Sequence, residues 1–236
     1  ITGEGRKIVG FKPAGHWTRS LLPSPDGSKL YAGVGSLSNI GDDGMEAEEE
    51  RAAIHEIDLE TGARRIFASG LRNPVGLAWE PTTGVLWTVV NERDGLGDEV
   101  PPDYLTSVQE GGFYGWPYCY WGQIVDDRVP QDPAMVAKAI RPDYALGGHT
   151  ASLGLCWLPA EILPGFPEGR AIGQHGSWNR STLSVHRTMC PARIASRTAQ
   201  RPRWVAPSTL RGAGTGPTVI ASTSSEASDR RGRTPP

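Results

Sequence analysis

"RSLLPSPDGSKLYAGVG" (residues 19–35) and "VGLAWEPTTGVLWTVVN" (residues 75–91) are one phrase written twice, 56 residues apart. Leu21 falls on Leu77, Pro25 on Pro81, Leu30 on Leu86 and Tyr31 on Trp87. Each copy reads as a buried strand, a turn carrying Asp-Gly or Thr-Gly, and a second strand. A third copy opens at "SLGLCWLPAEILPGFPEGRAIGQHG" (152–176), where Leu155 and Trp157 fall on Leu77 and Trp79 at an offset of 78 with a longer loop between the strands. "AAIHEIDL" (52–59) and "ARRIFAS" (63–69), joined by "ETG", supply two more short strands. Four short strands per unit, recurring at irregular intervals, predict an all-β fold and within it a β-propeller. A sandwich of hairpins is the rival, but a sandwich rarely repeats one hydrophobic-Pro-Gly-Leu-aromatic phrase.

Composition points the same way. Gly (30), Pro (20) and Trp (8) are plentiful and Met (3) is scarce, a mixture that suits short strands and tight turns rather than a helix bundle. A net charge of −2 leaves no footprint for nucleic acid or an anionic membrane. No apolar run approaches the ~20 residues of a spanning helix. Cys119, Cys156 and Cys190 form an odd set without CxxC spacing, which supports neither a zinc site nor a disulfide framework. HExxH, GxSxG, P-loop and GxGxxG patterns are absent, so zinc-protease, serine-hydrolase, NTPase and Rossmann readings drop away. The chain changes character near Ser181. Residues 181–236 hold nine Arg, no Lys and two acidic residues, against a balance of −9 over residues 1–180. The expected organisation is therefore a propeller domain over 1–180 and a basic Arg/Pro/Ser/Thr-rich tail over 181–236, either disordered or the product of out-of-frame translation. Its charge lacks aromatic interleaving and is not read as a nucleic-acid site.

In a propeller the innermost strands all start at one end of the channel, so the residues just before them converge. The offsets name these residues as His16-Trp17, Arg72-Asn73 and, after His149, Thr150-Ala151. The loops following the second strands lie at the same rim: "GSLSN" (35–39), "NERDG" (91–95) and "HGSWNR" (175–180). An imidazole with a pKa near ~6.5 suits His16 to taking a proton from an alcohol, although a loop histidine can equally be a solvated residue. Arg72 and Asn73 read either as an ordinary turn before Pro74 or, with Arg180, as forks for an anionic ligand. The acidic, Gly-rich "NERDGLGDEVPPDY" (91–104) suits calcium bound through carboxylates and backbone carbonyls, or is a solvated loop; EF-hand spacing is absent. "NIGDDGMEAEEE" (39–50) is read as a solvated insertion, and the aromatic "EGGFYGWPYCYWGQ" (110–123) as core packing rather than a platform for a sugar ring.

With these residues assembled, the chain resembles the soluble quinoprotein sugar dehydrogenases, the glucose/sorbosone dehydrogenase family that uses pyrroloquinoline quinone (PQQ). The phrases that carry the resemblance are "GHWTRSLLPSPDGSKLY", "GLRNPVGLAWEP", "LWTVVNERDGLGDE", "GGFYGWPY", "HTASLGL" and "GQHGSWNR", across roughly residues 10–180. The resemblance implies a six-bladed propeller, present here as three to four blades and incomplete at both ends. It implies that His16 is the general base while hydride passes from a sugar hydroxyl to PQQ. Arg72, Asn73 and Arg180 would contact PQQ, and Ca²⁺ would sit at Asp94 and Gly95. It also implies a periplasmic or secreted location and a separate electron acceptor. "HTASLGL" carries no lysine and Gly15 precedes His16 where an Asp is usual; both favour the sorbosone-type branch over glucose itself. As a partial propeller the chain is expected to be inactive alone. Two other functions remain open at this point: a non-catalytic carbohydrate- or protein-binding propeller, and a Ca²⁺-dependent lactonase-like propeller.

Overall fold

The computed structural model describes residues 7–129, 131–160, 162 and 168–177, together with the strand at 219–220. Its first sheet takes four strands in chain order, β1 (Arg19–Pro23), β2 (Lys29–Val34), β3 (Ala53–Asp58) and β4 (Arg64–Ser69), each antiparallel to the next. The second begins in the same way with β5 (Pro74–Trp79), β6 (Leu86–Val90) and β7 (Pro102–Ser107). The chain then makes a small hairpin of β8 (Cys119–Tyr120) and β9 (Ile124–Val125) and a short helix α1 (Pro133–Lys138). Asp132 caps α1 by accepting hydrogen bonds from the amides of Ala134 and Met135. Only afterwards does β10 (Tyr144–Gly148) join β7 as the fourth strand. A third sheet holds β11 (Ser152–Leu158), β12 (Gly169–Gln174) and β13 (Val219–Ile220). The described residues are nearly all β, in antiparallel sheets that do not close into a barrel. Beyond β13, the tail expected over 181–236 lies outside the described residues.

The 56-residue offset survives into the hydrogen-bond register. Leu21 faces Ala32 as Leu77 faces Thr88, Leu22 faces Tyr31 as Ala78 faces Trp87, and Pro23 faces Leu30 as Trp79 faces Leu86. Because a one-residue slip would turn every side chain to the wrong face, matching registers mean that both hairpins bury the same positions. Between the first two sheets lie Tyr31, Ile54, Phe67, Leu77, Leu86 and Tyr104. Tyr31 meets Phe67 and Trp79 edge-on, at ring separations of 5.1 and 5.0 Å. Between the second and third sheets, Val89, Leu105 and Ile172 pack with Leu155 and Trp87. There the Arg170 guanidinium lies 3.6 Å over the Trp87 ring. Each of these side chains contributes about 1.5–3 kcal/mol through burial. The aromatic segment 110–123 packs as expected: Phe113, Tyr114, Trp116 and Cys119 are all buried.

The leading strands come unusually close. β5 packs against β1 on one flank and β11 on the other. A Cβ on Gly33 would run into the Pro74 carbonyl, and one on Gly76 would lie 2.6 Å from Leu155 Cβ and 2.7 Å from its amide nitrogen. Trp79 Nε1 also donates to the carbonyl of Pro23 (2.7 Å), its own counterpart in the repeat. Gly76→Val should therefore lower stability by about 1–3 kcal/mol through overpacking, read as a drop in the urea midpoint with an unchanged slope.

Candidate functional site

The segment that delivers His16 turns through two left-handed residues, Ala14 (φ 89°) and Gly15 (φ 62°). At Gly15 a side chain would strike the backbone of Leu37, so glycine is required there for space as well as for conformation. The amide of His16 donates to the Ser36 carbonyl (3.0 Å), and Nδ1 lies 2.9 Å from the same oxygen. A ring nitrogen facing a carbonyl carries the hydrogen, which leaves the lone pair on Nε2. Burial, and secondarily the Arg72 cation, hold His16 below the usual histidine range, so the ring is neutral at neutral pH.

Arg72 precedes β5 and is 6% exposed. Its Nε donates to Asn39 O (3.2 Å), Nη1 to Glu92 O (2.7 Å) and Nη2 to Asn39 Oδ1 (2.9 Å), and Asp94 Oδ2 lies 3.5 Å from Nη2. Asn39 is the counterpart of this cation. Its Oδ1 also accepts from the Asp94 amide, its Nδ2 donates to Asp94 O, and its carbonyl accepts from Trp116 Nε1. Sequence reasoning placed Asn39 at the rim without a role; only the fold shows that it joins the two rim loops. Asn73, the next residue, keeps its carboxamide free of hydrogen bonds among the described residues, with Oδ1 resting where a Gly35 side chain would be.

Behind β6 the loop 91–95 divides. Arg93 turns inward to an ion pair with Asp126 (2.8 Å), both side chains being almost wholly buried. Asp94 stays at the surface of the site, held between Arg72 and His149 Nδ1 (3.3 Å). His149 has its other ring nitrogen 2.8 Å from Gly97 O. With acceptors on both nitrogens, the hydrogen bond to Asp94 above all, its pKa is raised. Asp103 is 2% exposed and accepts from the Glu92 amide (2.9 Å), Thr150 Oγ1 (3.1 Å) and the Ala151 amide (2.8 Å). Burial pushes its pKa up nonetheless. Glu92 is 4% exposed; Oε2 accepts from the Arg93 amide, Oε1 has no partner, and burial pushes its pKa up to about 7.

These groups line one open cleft of about 200 Å³. His16 comes from before β1, Arg72 and Asn73 from before β5, and Asn91, Glu92 and Asp94 from after β6. His149, Ala151 and Leu153 come from around the start of β11, and Gly176 and Ser177 from after β12. Five of the six segments expected at the rim reach the cleft, and the sixth backs it through Asn39. Arg180 lies outside the described residues. Gly95 does not line the cleft, and its carbonyl accepts from the Arg128 guanidinium. The Asp94 carbonyl already serves Asn39, and among the described residues no three His, Cys, Asp or Glu side chains are grouped to hold a metal. At the expected Ca²⁺ position, the two backbone carbonyls thus accept from the side chains of Arg128 and Asn39. A further departure concerns 39–50, expected to be solvated: within it Glu48 is 5% exposed and bonded to the 36–38 turn.

A repeated antiparallel β-sheet protein, with a polar cleft where its leading strands begin, is the class that this fold and site define. The chain belongs to the TrAA12-like family, which residues 1–135 match. A curated protein of Borreliella burgdorferi is 30% identical over 169 residues, 71% of this chain and 44% of that protein. The aldose sugar dehydrogenase YliI of Escherichia coli is 36% identical over 117 residues, 48% of this chain and 30% of its own length. The solved PQQ domain of pyranose dehydrogenase from Coprinopsis cinerea superposes with a TM-score of 0.59 at 22% identity, over 73% of this chain and 51% of that one. The resemblance to quinoprotein sugar dehydrogenases drawn from the sequence therefore holds. The chain spans less than half the length of these curated relatives.

Burial pushes the Glu92 carboxyl up to about 7 from the ordinary glutamate value of 4.5, so its charge opposes folding increasingly as pH rises between those two values. Glu92→Gln should stabilise the protein by about 3 kcal/mol at pH 8 and by almost nothing at pH 4, measured as the difference in urea unfolding at the two pH values.

Proposed function

We propose that the three sheets are successive blades of a partial propeller from a six-bladed family, and that the cleft oxidises a hydroxyl of a sugar of the aldose or sorbosone type with PQQ as acceptor. The observation that carries this reading is His16: a neutral imidazole, protonated on Nδ1, lining a polar cleft beside the Asn73 carboxamide and a buried cation. The family membership and the sugar dehydrogenase among the relatives support it.

The cleft suits an anionic planar quinone in part. Asn73 offers a carboxamide without a hydrogen bond among the described residues, while Arg72 supplies positive charge although most of its donors are bound to protein oxygens. PQQ, when bound, supplies the two-electron acceptor for hydride, with Asn73 and Arg72 to hold it. His16 Nε2 takes the hydroxyl proton as the carbon gives up hydride, so the alcohol leaves as a carbonyl compound. Asn39 and Asp94 keep the Arg72 guanidinium from swinging into the substrate's place. Ca²⁺ at Asp94 and Gly95 would require the Arg128 and Asn39 side chains to release the two carbonyls. A separate electron acceptor and a periplasmic or secreted location go with this reading; among the described residues no helix is long and apolar enough to cross a membrane.

PQQ titration tests the proposal directly. Tryptophan fluorescence should be quenched saturably, Asn73→Ala should weaken binding about tenfold, and His16→Ala should leave binding nearly unchanged. Any dye reduction with aldoses should vanish in His16→Ala, since loss of a general base costs about 10²–10⁴ in rate. Absence of PQQ binding, with and without added Ca²⁺, would overturn it.

A further inference from the structure

Two buried charges, Glu48 in the acidic segment and Arg51 just after it, do not line the cleft, and both hold the turns around His16. The Glu48 carboxylate accepts from the amides of Leu37 (2.7 Å) and Ser38 (2.8 Å) and from Ser38 Oγ (2.7 Å). These bonds fix the turn after β2 whose Ser36 carbonyl receives both the amide and Nδ1 of His16. Within that turn Ser36 Oγ donates to Ser38 O (2.6 Å), so its proton is committed and the oxygen, 3.2 Å from Nδ1, can only accept from the ring. On the other flank Arg51, 7% exposed, donates to the carbonyls of Lys12 (3.0 Å), Pro13 (2.9 Å) and Ala14 (3.1 Å). It thereby holds the left-handed turn at Ala14 and Gly15 that brings His16 into place.

We propose that Glu48 and Arg51 are positioning residues that lock the His16 imidazole in its Nδ1–H tautomer, keeping Nε2 free to receive the substrate proton. The catalytic meaning rests on reading His16 as the base; the lock itself does not. Backbone amides are a strong and directional way to hold a carboxylate, and the carboxylate in turn fixes where the neighbouring carbonyl points. A turn free to relax would let the ring rotate or change tautomer, and a misplacement of about 1 Å costs on the order of 10²-fold in rate. Of the charged groups facing His16, Arg72 disfavours its protonated form, and Glu48 and Asp94 favour it. Removing the Glu48 charge therefore moves the His16 midpoint to lower pH.

The full chain, labelled with ¹⁵N-histidine and free of cofactor and sugar, gives the test through long-range ¹H–¹⁵N imidazole spectra. The His16→Gln spectrum assigns the signal. In the parent chain His16 should show the Nδ1–H pattern. In Glu48→Gln the titration should move to lower pH and the Nε2–H form should appear. Arg51→Lys keeps the charge but loses the three-carbonyl clasp, so it should mix the tautomers. Variants with unchanged circular dichroism and an unchanged His16 tautomer and midpoint would overturn the proposal. Should Glu48→Gln fail to fold, Glu48→Asp decides by the same spectra, since it keeps the charge one methylene further back. Because neither PQQ nor substrate is present, a cleft that turned out not to oxidise sugars would leave this result standing, and the reverse. Where turnover is measurable, Glu48→Gln should lower kcat about 10- to 100-fold with KM within about twofold.

Discussion

The close approach of the three leading strands is the constraint from which the rest follows. β5 can lie against the first sheet on one flank and β11 on the other because Gly33 of β2 presents bare backbone to Pro74, and Gly76 of β5 presents it to Leu155. Once those strands start side by side, the loops before and after them must share one small volume. A third glycine, Gly35, sits where a side chain would strike both Asn73 Oδ1 and the His16 side chain. The side chains of His16 and Asn73 thus meet over a position that must stay empty.

A crowded junction of loops has many backbone carbonyls and amides to satisfy, and the buried charges do that work. Arg72 ties 39 to 92, Asp103 ties 92 to 150 and 151, and Glu48 and Arg51 tie the two turns around His16. Each charge is held by backbone groups from a different part of the chain. Desolvation is thereby offset by hydrogen bonds rather than by a single opposite charge. Two groups depart from this: Arg93 meets the single charge of Asp126, and Glu92, with one oxygen unpartnered among the described residues, has its pKa raised by burial.

The sequence made the repeat legible because side-chain periodicity and turn residues are local. The 56-residue offset predicted β1, β2, β5 and β6, and the alignment of His16 with Arg72 carried through to one cleft. What stayed hidden depends on distant partners. β7 opens on Pro102 behind an acidic loop, and β10 is separated from it by residues 108–143, so neither carries the hairpin phrase. Arg72 read as a fork aimed at a ligand, whereas most of its hydrogen bonds go to Asn39 and Glu92, 33 and 20 residues away. Glu48 belongs to a run of acids that reads as solvated, and nothing local separates it from Glu46 or Glu49. Only the Leu37 and Ser38 amides single it out. Calcium at Asp94 and Gly95 was carried over by family resemblance, and Arg128, from the insertion, takes the Gly95 carbonyl instead.

The inward turn of Arg93 has an effect that reaches beyond packing. Its pair with Asp126 joins the 91–95 loop to the insertion after β7, with side-chain exposures of 3% and 2%. By contrast, Arg65 and Glu110 pair in the open, at 46% and 63%. At physiological ionic strength charges are screened over about 8 Å of water, but a pair with no water around it is hardly screened. Rising salt therefore weakens the outer edge of the first sheet while leaving the loop beneath the cleft as it is. The geometry of the cleft is thereby kept indifferent to the ionic composition of its surroundings.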